Sequence, residues 1–267
     1  MEARTGTPAA RQGLKPDKPP SDADIEAIER ATVAALAPRV VREDDAWLLA
    51  ADDGRINRAN SVTLVGLGGD RLADKVARVE AFYADEGLPS AFRIPDRLVF
   101  GDLRTTLAAA GYTPRLPTLV QVGEVQTLLE RLTDPPGEVS EAIDANWIAA
   151  FGGEGFDPDD AASRARALGR SPGAVYGAVR EDGAVHAVGA MSFGLGWAGV
   201  HGMRTIMPSR GRGLARRVLV ALALAARDRR TERLYLQVER ENAPAIALYR
   251  RAGFRPAWSY AYWRRVR

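Results

Sequence analysis

The sequence predicts an α/β or α+β protein made of two related halves. Short β-type runs alternate with helical ones along most of the chain. Residues also recur at a constant offset of 142 positions. Leu72-Ala73 matches Leu214-Ala215, Val76 matches Val218, and Ala110-Gly111-Tyr112-Thr113-Pro114 matches Ala252-Gly253-Phe254-Arg255-Pro256. The same Ala-Gly-aromatic-x-Pro punctuation, at the same distance from the same helix start, reads as a duplication. With 267 residues there is room for two domains of ordinary size, and the 46% hydrophobic content can supply a core to each.

Residues 1–21 are polar and proline-bearing, without apolar periodicity, and read as a disordered tail. Ser21 or Asp22 can cap a helix over 24–36. Residues 47–50 read as a strand, with a turn at Asp52-Asp53-Gly54 and a further strand at 61–66. Val76, Val79, Phe82 and Tyr83 give 72–86 helical spacing. A strand at 91–94, a helix at 102–110 stopped by Gly111, and a strand at 118–122 complete the first half. Asp134-Pro135-Pro136-Gly137 reads as the junction, giving domains at 22–133 and 138–267. Helices are expected at 139–151 and 159–168. A hairpin follows at 175–180 and 185–193, turning at Glu181-Asp182-Gly183. A strand at 198–207, a Gly/Arg loop, a helix at 214–229, a strand at 233–238, a helix at 243–251 and a strand at 257–263 end the chain.

Composition narrows the chemistry. The absence of cysteine excludes disulfides and thiol catalysis and points to a cytoplasmic protein, and two histidines make a His-rich metal site unexpected, so no metal is predicted. No apolar run reaches the roughly 18 residues of a membrane span, and the N-terminus lacks a secretory layout. Residues 204–267 hold sixteen arginines against four acids, a local balance of +12 within a net charge of +3, which leaves −9 over residues 1–203. Such a basic region suits a small polyanion or nucleic acid. Nucleic acid is the less favoured partner, because the aromatics Trp258, Tyr260, Tyr262 and Trp263 read as strand residues rather than an exposed platform.

The informative segment runs from Met203 through Arg210-Gly211-Arg212-Gly213 to Leu214-Ala215-Arg216. A strand ends, a glycine loop follows, and an apolar helix begins. The helix N-terminus offers amide donors and partial positive charge, and glycine allows close backbone approach, which together suit a pyrophosphate. Downstream, Asn242-Ala243-Pro244-Ala245 opens a short helix that carries Leu248-Tyr249 and ends at Gly253-Phe254. Asn242 is a natural N-cap for it.

Together these segments resemble the GNAT superfamily of N-acetyltransferases. Arg210-x-x-Gly213-x-Ala215 matches the family's coenzyme A loop, and Asn242-x-x-Ala245-x-x-Leu248-Tyr249-x-x-x-Gly253-Phe254 matches the helix that follows it. The match covers roughly residues 138–267. The resemblance implies a mixed central sheet whose fourth and fifth strands splay to admit acetyl-CoA as cosubstrate. Backbone groups around Met203 and Thr205 would meet the pantetheine arm, the amides of residues 211–216 would hold the pyrophosphate, and Asn242 would orient the cofactor. Tyr249 would protonate the leaving thiolate. A phenol, with a reference pKa of about 10, is suited to that task, and a backbone N–H at the splay can stabilise the oxyanion.

Gln237 departs from the family, which often has a glutamate base there. Water, Glu239 or His201 would then take the amine's proton. In the first half, Gly68, Arg71 and Leu107 stand where the second has Arg210, Gly213 and Tyr249, so that half is expected to be a degenerate, non-catalytic copy. Arg58 and Asn60 could present a guanidinium and an amide to a substrate carboxylate, or simply end a strand in solvent. The layout is also similar to two-part actinobacterial-type acetyltransferases that include N-acetylglutamate synthases. This implies a small-molecule amine acceptor, with glutamate among the candidates. Another small amine, a protein amine, or a non-catalytic acyl-CoA sensor are the alternatives.

Overall fold

The computed structural model describes residues 19–153 and 157–265. Most of the expected 1–21 tail therefore lies outside the described residues. In the first half, helix α1 (Asp22–Ala34) is capped by Ser21, whose Oγ accepts from the Asp24 amide at 3.2 Å. Strands β1 (Val40–Asp44) and β2 (Trp47–Ala51) form a hairpin, followed by β3 (Val62–Leu64), α2 (Leu72–Asp85), β4 (Phe92–Pro95), α3 (Gly101–Ala109), β5 (Tyr112–Glu124) and α4 (Val125–Arg131). Strand β1 escapes a sequence reading because its turn, Asp45-Ala46, takes φ of 46° and 64° without any glycine to signal it.

The second half contains β6 (Glu138–Ser140), α5 (Ala145–Phe151), α6 (Pro158–Gly169), β7 (Val175–Glu181), β8 (Ala184–Gly194), β9 (Trp197–Thr205), α7 (Leu214–Asp228), β10 (Arg233–Glu239), α8 (Ala243–Arg251) and β11 (Arg255–Arg265). The single helix expected over 139–151 is corrected here. Glu138–Ser140 pairs with β7 as an edge strand, and the helix starts only at Ala145, where the Asp144 carboxylate accepts from the Trp147 amide at 2.7 Å.

The 142-residue offset is carried by whole elements: α2 shifts onto α7 and α3 onto α8, with matching first residues. One 11-stranded sheet runs through both halves in the order β1-β2-β3-β4-β11-β5-β10-β9-β8-β7-β6. The last strand of each half has crossed over. β11 pairs antiparallel with β4, β5 pairs antiparallel with β10, and the two pair with each other at the centre. The sheet does not break at the expected division into 22–133 and 138–267. Each half completes its sheet with the other's final strand.

The two faces of β10 carry different cores. Leu234, Leu236 and Val238 join the α7 side with Leu219, Leu222 and Tyr249, whereas Tyr235 joins Ile28 and Ala31 of α1 and the exchanged Val120, Tyr260 and Tyr262. Gly177 and Gly189 let α7 lie close to the sheet, since a Cβ on them would come 3.1 and 2.9 Å from Val218 Cγ1.

In the first half, the equivalent loop bonds a carboxylate of the protein itself. The amides of Gly69 and Asp70, equivalent by offset to Gly211 and Arg212, both donate to the Asp45 carboxylate at 2.9 Å. Lys75, only 1% exposed, also binds that carboxylate at 2.9 Å. These amide bonds and the lysine hold the Asp45 carboxyl well below the usual carboxylate range. The protein's own carboxylate occupies the place an anion would take. A depressed carboxyl stabilises above its unfolded pKa of about 4 and loses that contribution as pH falls through its lower folded value. Asp45→Ala is therefore expected to lower the melting temperature at pH 7, with the difference from wild type shrinking in acid, as thermal unfolding across pH would register.

Candidate active site

Strands β9 and β10 pair in parallel only from Trp197↔Arg233 to Val200↔Leu236. Beyond that point they diverge. Gly202 causes the departure: it takes φ of 58°, beside a register shift between β8 and β9, and a Cβ there would sit 2.9 Å from Leu168 Cδ1. The gap opens into a cleft of about 970 Å³. Its lining includes Met203, Thr205, Arg210, Gly211, Gly213, Leu214, Ala215 and Arg216 on one wall, and Gln237, Glu239, Asn242 and Tyr249 on the other. Residues far apart in sequence are thus brought to one place.

The loop before α7 is shaped for an anion. Gly211 and Gly213 take φ of 78° and 79°, a left-handed conformation open to glycine. The amides of Gly211, Arg212 and Gly213 donate to no group among the described residues. They lie at the N-terminus of a 15-residue helix. The arginines divide. Arg212 pairs with Glu181 at 2.6 Å and does not line the cleft, while Arg216 grips Asp134 with two bonds of 3.0 Å from its Nε. Among the described residues, Arg210 bonds the Thr205 carbonyl at 3.4 Å and forms no ion pair.

Asn242 caps α8, its Oδ1 accepting from the Ala245 amide at 3.2 Å. Tyr249 is 7% exposed, packs edge-on against Phe254, and its hydroxyl bonds no described group. Burial pushes its pKa up to about 12, so it holds its proton.

The remaining expected residues lie mostly toward the α1 face. The Gln237 side-chain amide donates to Thr32 Oγ1 at 2.9 Å and accepts from Tyr260 at 2.8 Å and from Arg58 Nη1 at 3.4 Å. His201 bonds Ser192 through Nε2 at 2.8 Å. Burial, then the charge of Arg58, lowers its pKa to about 3, which leaves it neutral and a weak base. Glu239 is the exposed carboxylate at the rim. Asn60 does not reach the cleft. Its oxygen accepts from the Asp52 amide at 2.8 Å and its nitrogen donates to the Gly54 carbonyl at 2.7 Å, fastening a loop. The sequence reading missed Thr118, Tyr260 and Tyr262 as cleft residues. The even-numbered aromatic alternation in β11 was the available signal, but nothing local revealed that β11 and β5 exchange.

Comparison with known proteins places this geometry. A GCN5-related N-acetyltransferase from Kribbella flavida superposes with a TM-score of 0.65 at 18% identity, covering 89% of this chain and 94% of the other. A tandem GNAT protein from the clavulanic acid biosynthesis pathway gives 0.60 at 15% identity, covering 92% and 96%. The Bacillus subtilis protein described as "Uncharacterized N-acetyltransferase YobR" is 27% identical over 244 residues, 90% of this chain and 98% of that protein. A family model described as "Probable histone acetyltransferase Rv0428c C-terminal" matches residues 22–263. The chain belongs to that family, and its fold is that of the GNAT acetyltransferases.

GNAT acetyltransferases use acetyl-CoA as their acetyl donor. The residues present fit that donor: unbonded loop amides for its phosphates, a splay for its arm and a protonated phenol in the same cleft. Among the described residues there is no cluster of metal-ligating side chains and no helix long and apolar enough to cross a membrane.

Proposed function

We propose that the enzyme transfers the acetyl group directly to a primary amine of a small molecule, with Tyr249 as general acid. The observation that carries this reading is the Tyr249 hydroxyl, unbonded and held protonated in the same cleft as the anion loop. The amine nitrogen attacks the thioester carbonyl, the C–S bond breaks, and the thiolate takes the phenolic proton. The proton shed by the amine returns through water or Glu239, because Gln237 cannot accept it and His201 is too weak a base. Bringing the amine to the splay supplies much of the acceleration.

Glutamate is the first acceptor to try. The family description names histones, so a lysine-bearing peptide is the second. Among the described residues, arginines 58, 164, 204, 210, 216 and 251 line the cleft against two acids, Asp160 and Glu239, which disfavours a basic tail. Thiol release from acetyl-CoA with glutamate, other amino acids, polyamines and a histone peptide decides among them. Stimulation by an amine supports transfer, whereas cofactor binding without stimulation by any amine would favour a sensor.

Gly213→Val tests the loop. A side chain at φ of 79° is strained, and its Cβ would lie 2.6 Å from Arg216 Nη2. Losing charge-assisted amide contacts should raise KM for acetyl-CoA by about 10- to 100-fold with a smaller change in kcat, as initial rates against acetyl-CoA concentration would show.

A further inference from the structure

Two arginines flank Tyr260 in the interior of the α1 face. Arg93, 1% exposed, lies 4.8 Å from the Tyr260 ring and is neutralised by the buried carboxylate of Glu29. Arg58 projects from the short turn Asn57–Ala59 into the cleft and has no acidic partner among the described residues. It meets Gln237 Oε1 at 3.4 Å. Burial acts against its charge, while the hydroxyls of Tyr260, Tyr262 and Tyr235 act for it. A guanidinium withdrawn from water with no anion is costly, and a carboxylate meets its fork through two charge-assisted bonds.

The position matters as much as the charge. Gln237 is the first residue of β10 beyond its last pair with β9, so Arg58 sits beside the apex of the splay. Arg58, Gln237, Tyr235 and Tyr260 belong to the α1 side, whereas Tyr249 packs with the α7 core. The gap between β9 and β10 joins the two sides. The donor loop and the acid thus approach from one, leaving the other for the acceptor. That second side is furnished in part by the half whose own loop is filled by Asp45: Arg58, Leu116 and Thr118 come from it.

We infer that Arg58 anchors a carboxylate of the acceptor, so that the substrate is a carboxylate-bearing primary amine, an amino acid rather than a polyamine or a basic peptide, selected by the degenerate half. This rests on the acetyl-transfer reading above. The test pairs each of the common amino acids with its carboxamide and measures acceptor-dependent thiol release, for the full-length wild type and for Arg58→Gln and Arg58→Lys, with spermidine and a lysine peptide alongside. The wild type should prefer acid over amide by about tenfold or more in kcat/KM. Arg58→Gln should bring the two within about threefold by raising KM for the acid, while Arg58→Lys restores part of the preference. KM for acetyl-CoA should stay unchanged in both variants, a readout that general misfolding would move.

Equal use of acid and amide by the wild type, or a preference that survives in Arg58→Gln, overturns the inference. Turnover confined to spermidine or the peptide also overturns it and leaves acetyl transfer standing. No thiol release with any amine, while calorimetry shows acetyl-CoA bound, overturns both.

Discussion

Replacing Tyr249 with phenylalanine should lower kcat by about 100-fold or more while leaving KM for acetyl-CoA within about twofold, the pattern of a proton donor that acts in the transition state. The substitution removes one hydroxyl from a side chain that is 7% exposed and keeps its edge contact with Phe254, so the fold has little reason to change. The pH profile sharpens the expectation. Burial raises the Tyr249 pKa to about 12, and a general acid works below its pKa. The wild type should therefore show no loss of kcat from this group between pH 6 and about 10. His201, lowered to about 3, should contribute no limb in that range either. A variant with unaltered kcat would remove Tyr249 from the chemistry and move the acid role to water.

The largest loss of stability is expected from Glu29→Ala. Glu29 is 1% exposed; its carboxylate binds Arg93, itself 1% exposed, and accepts from Trp258 Nε1 at 3.2 Å. Truncation leaves a buried guanidinium without an anion, a change that costs about 3–5 kcal/mol. These groups tie α1 to β4 and to the exchanged β11, so the damage falls where the two halves interlock. Urea unfolding should show the midpoint displaced accordingly. The double variant Glu29→Ala with Arg93→Met should recover much of the loss, because no charge then remains unpaired. A single variant within about 1 kcal/mol of wild type would mean that water reaches Arg93 and the pair is not truly buried.

Much of the donor side could be read from the chain, because its devices are local. The glycine loop before Leu214, the Asn242 cap and the Gly253 stop lie within a few residues of the groups they serve, and α7 and α8 begin where those signals place them. Helical spacing located α2 in the first half, and the Gly111 stop marked the end of α3. The reading failed where a signal was weak or answered to another segment. Val139 was assigned to a helix because nothing nearby showed that residues 138–140 would hydrogen-bond to β7. Nothing near Arg212 revealed that its side chain pairs with Glu181, 31 residues away.

The acceptor side depended on tertiary structure almost throughout. By itself the sequence determined the repeat, the glycine loop before α7 and the helix cap and stop around Tyr249. Only the folded chain decided that β5 and β11 trade places, that Asp45 closes the first loop, that Asn60 fastens a turn instead of a ligand, and that Arg58 lies beside Gln237 across 179 residues of chain. The physical reason is one of range. Capping, turn conformation and periodicity are settled among neighbours, whereas strand order and the pairing of buried charges are chosen by which distant segments can satisfy each other's hydrogen bonds and charge.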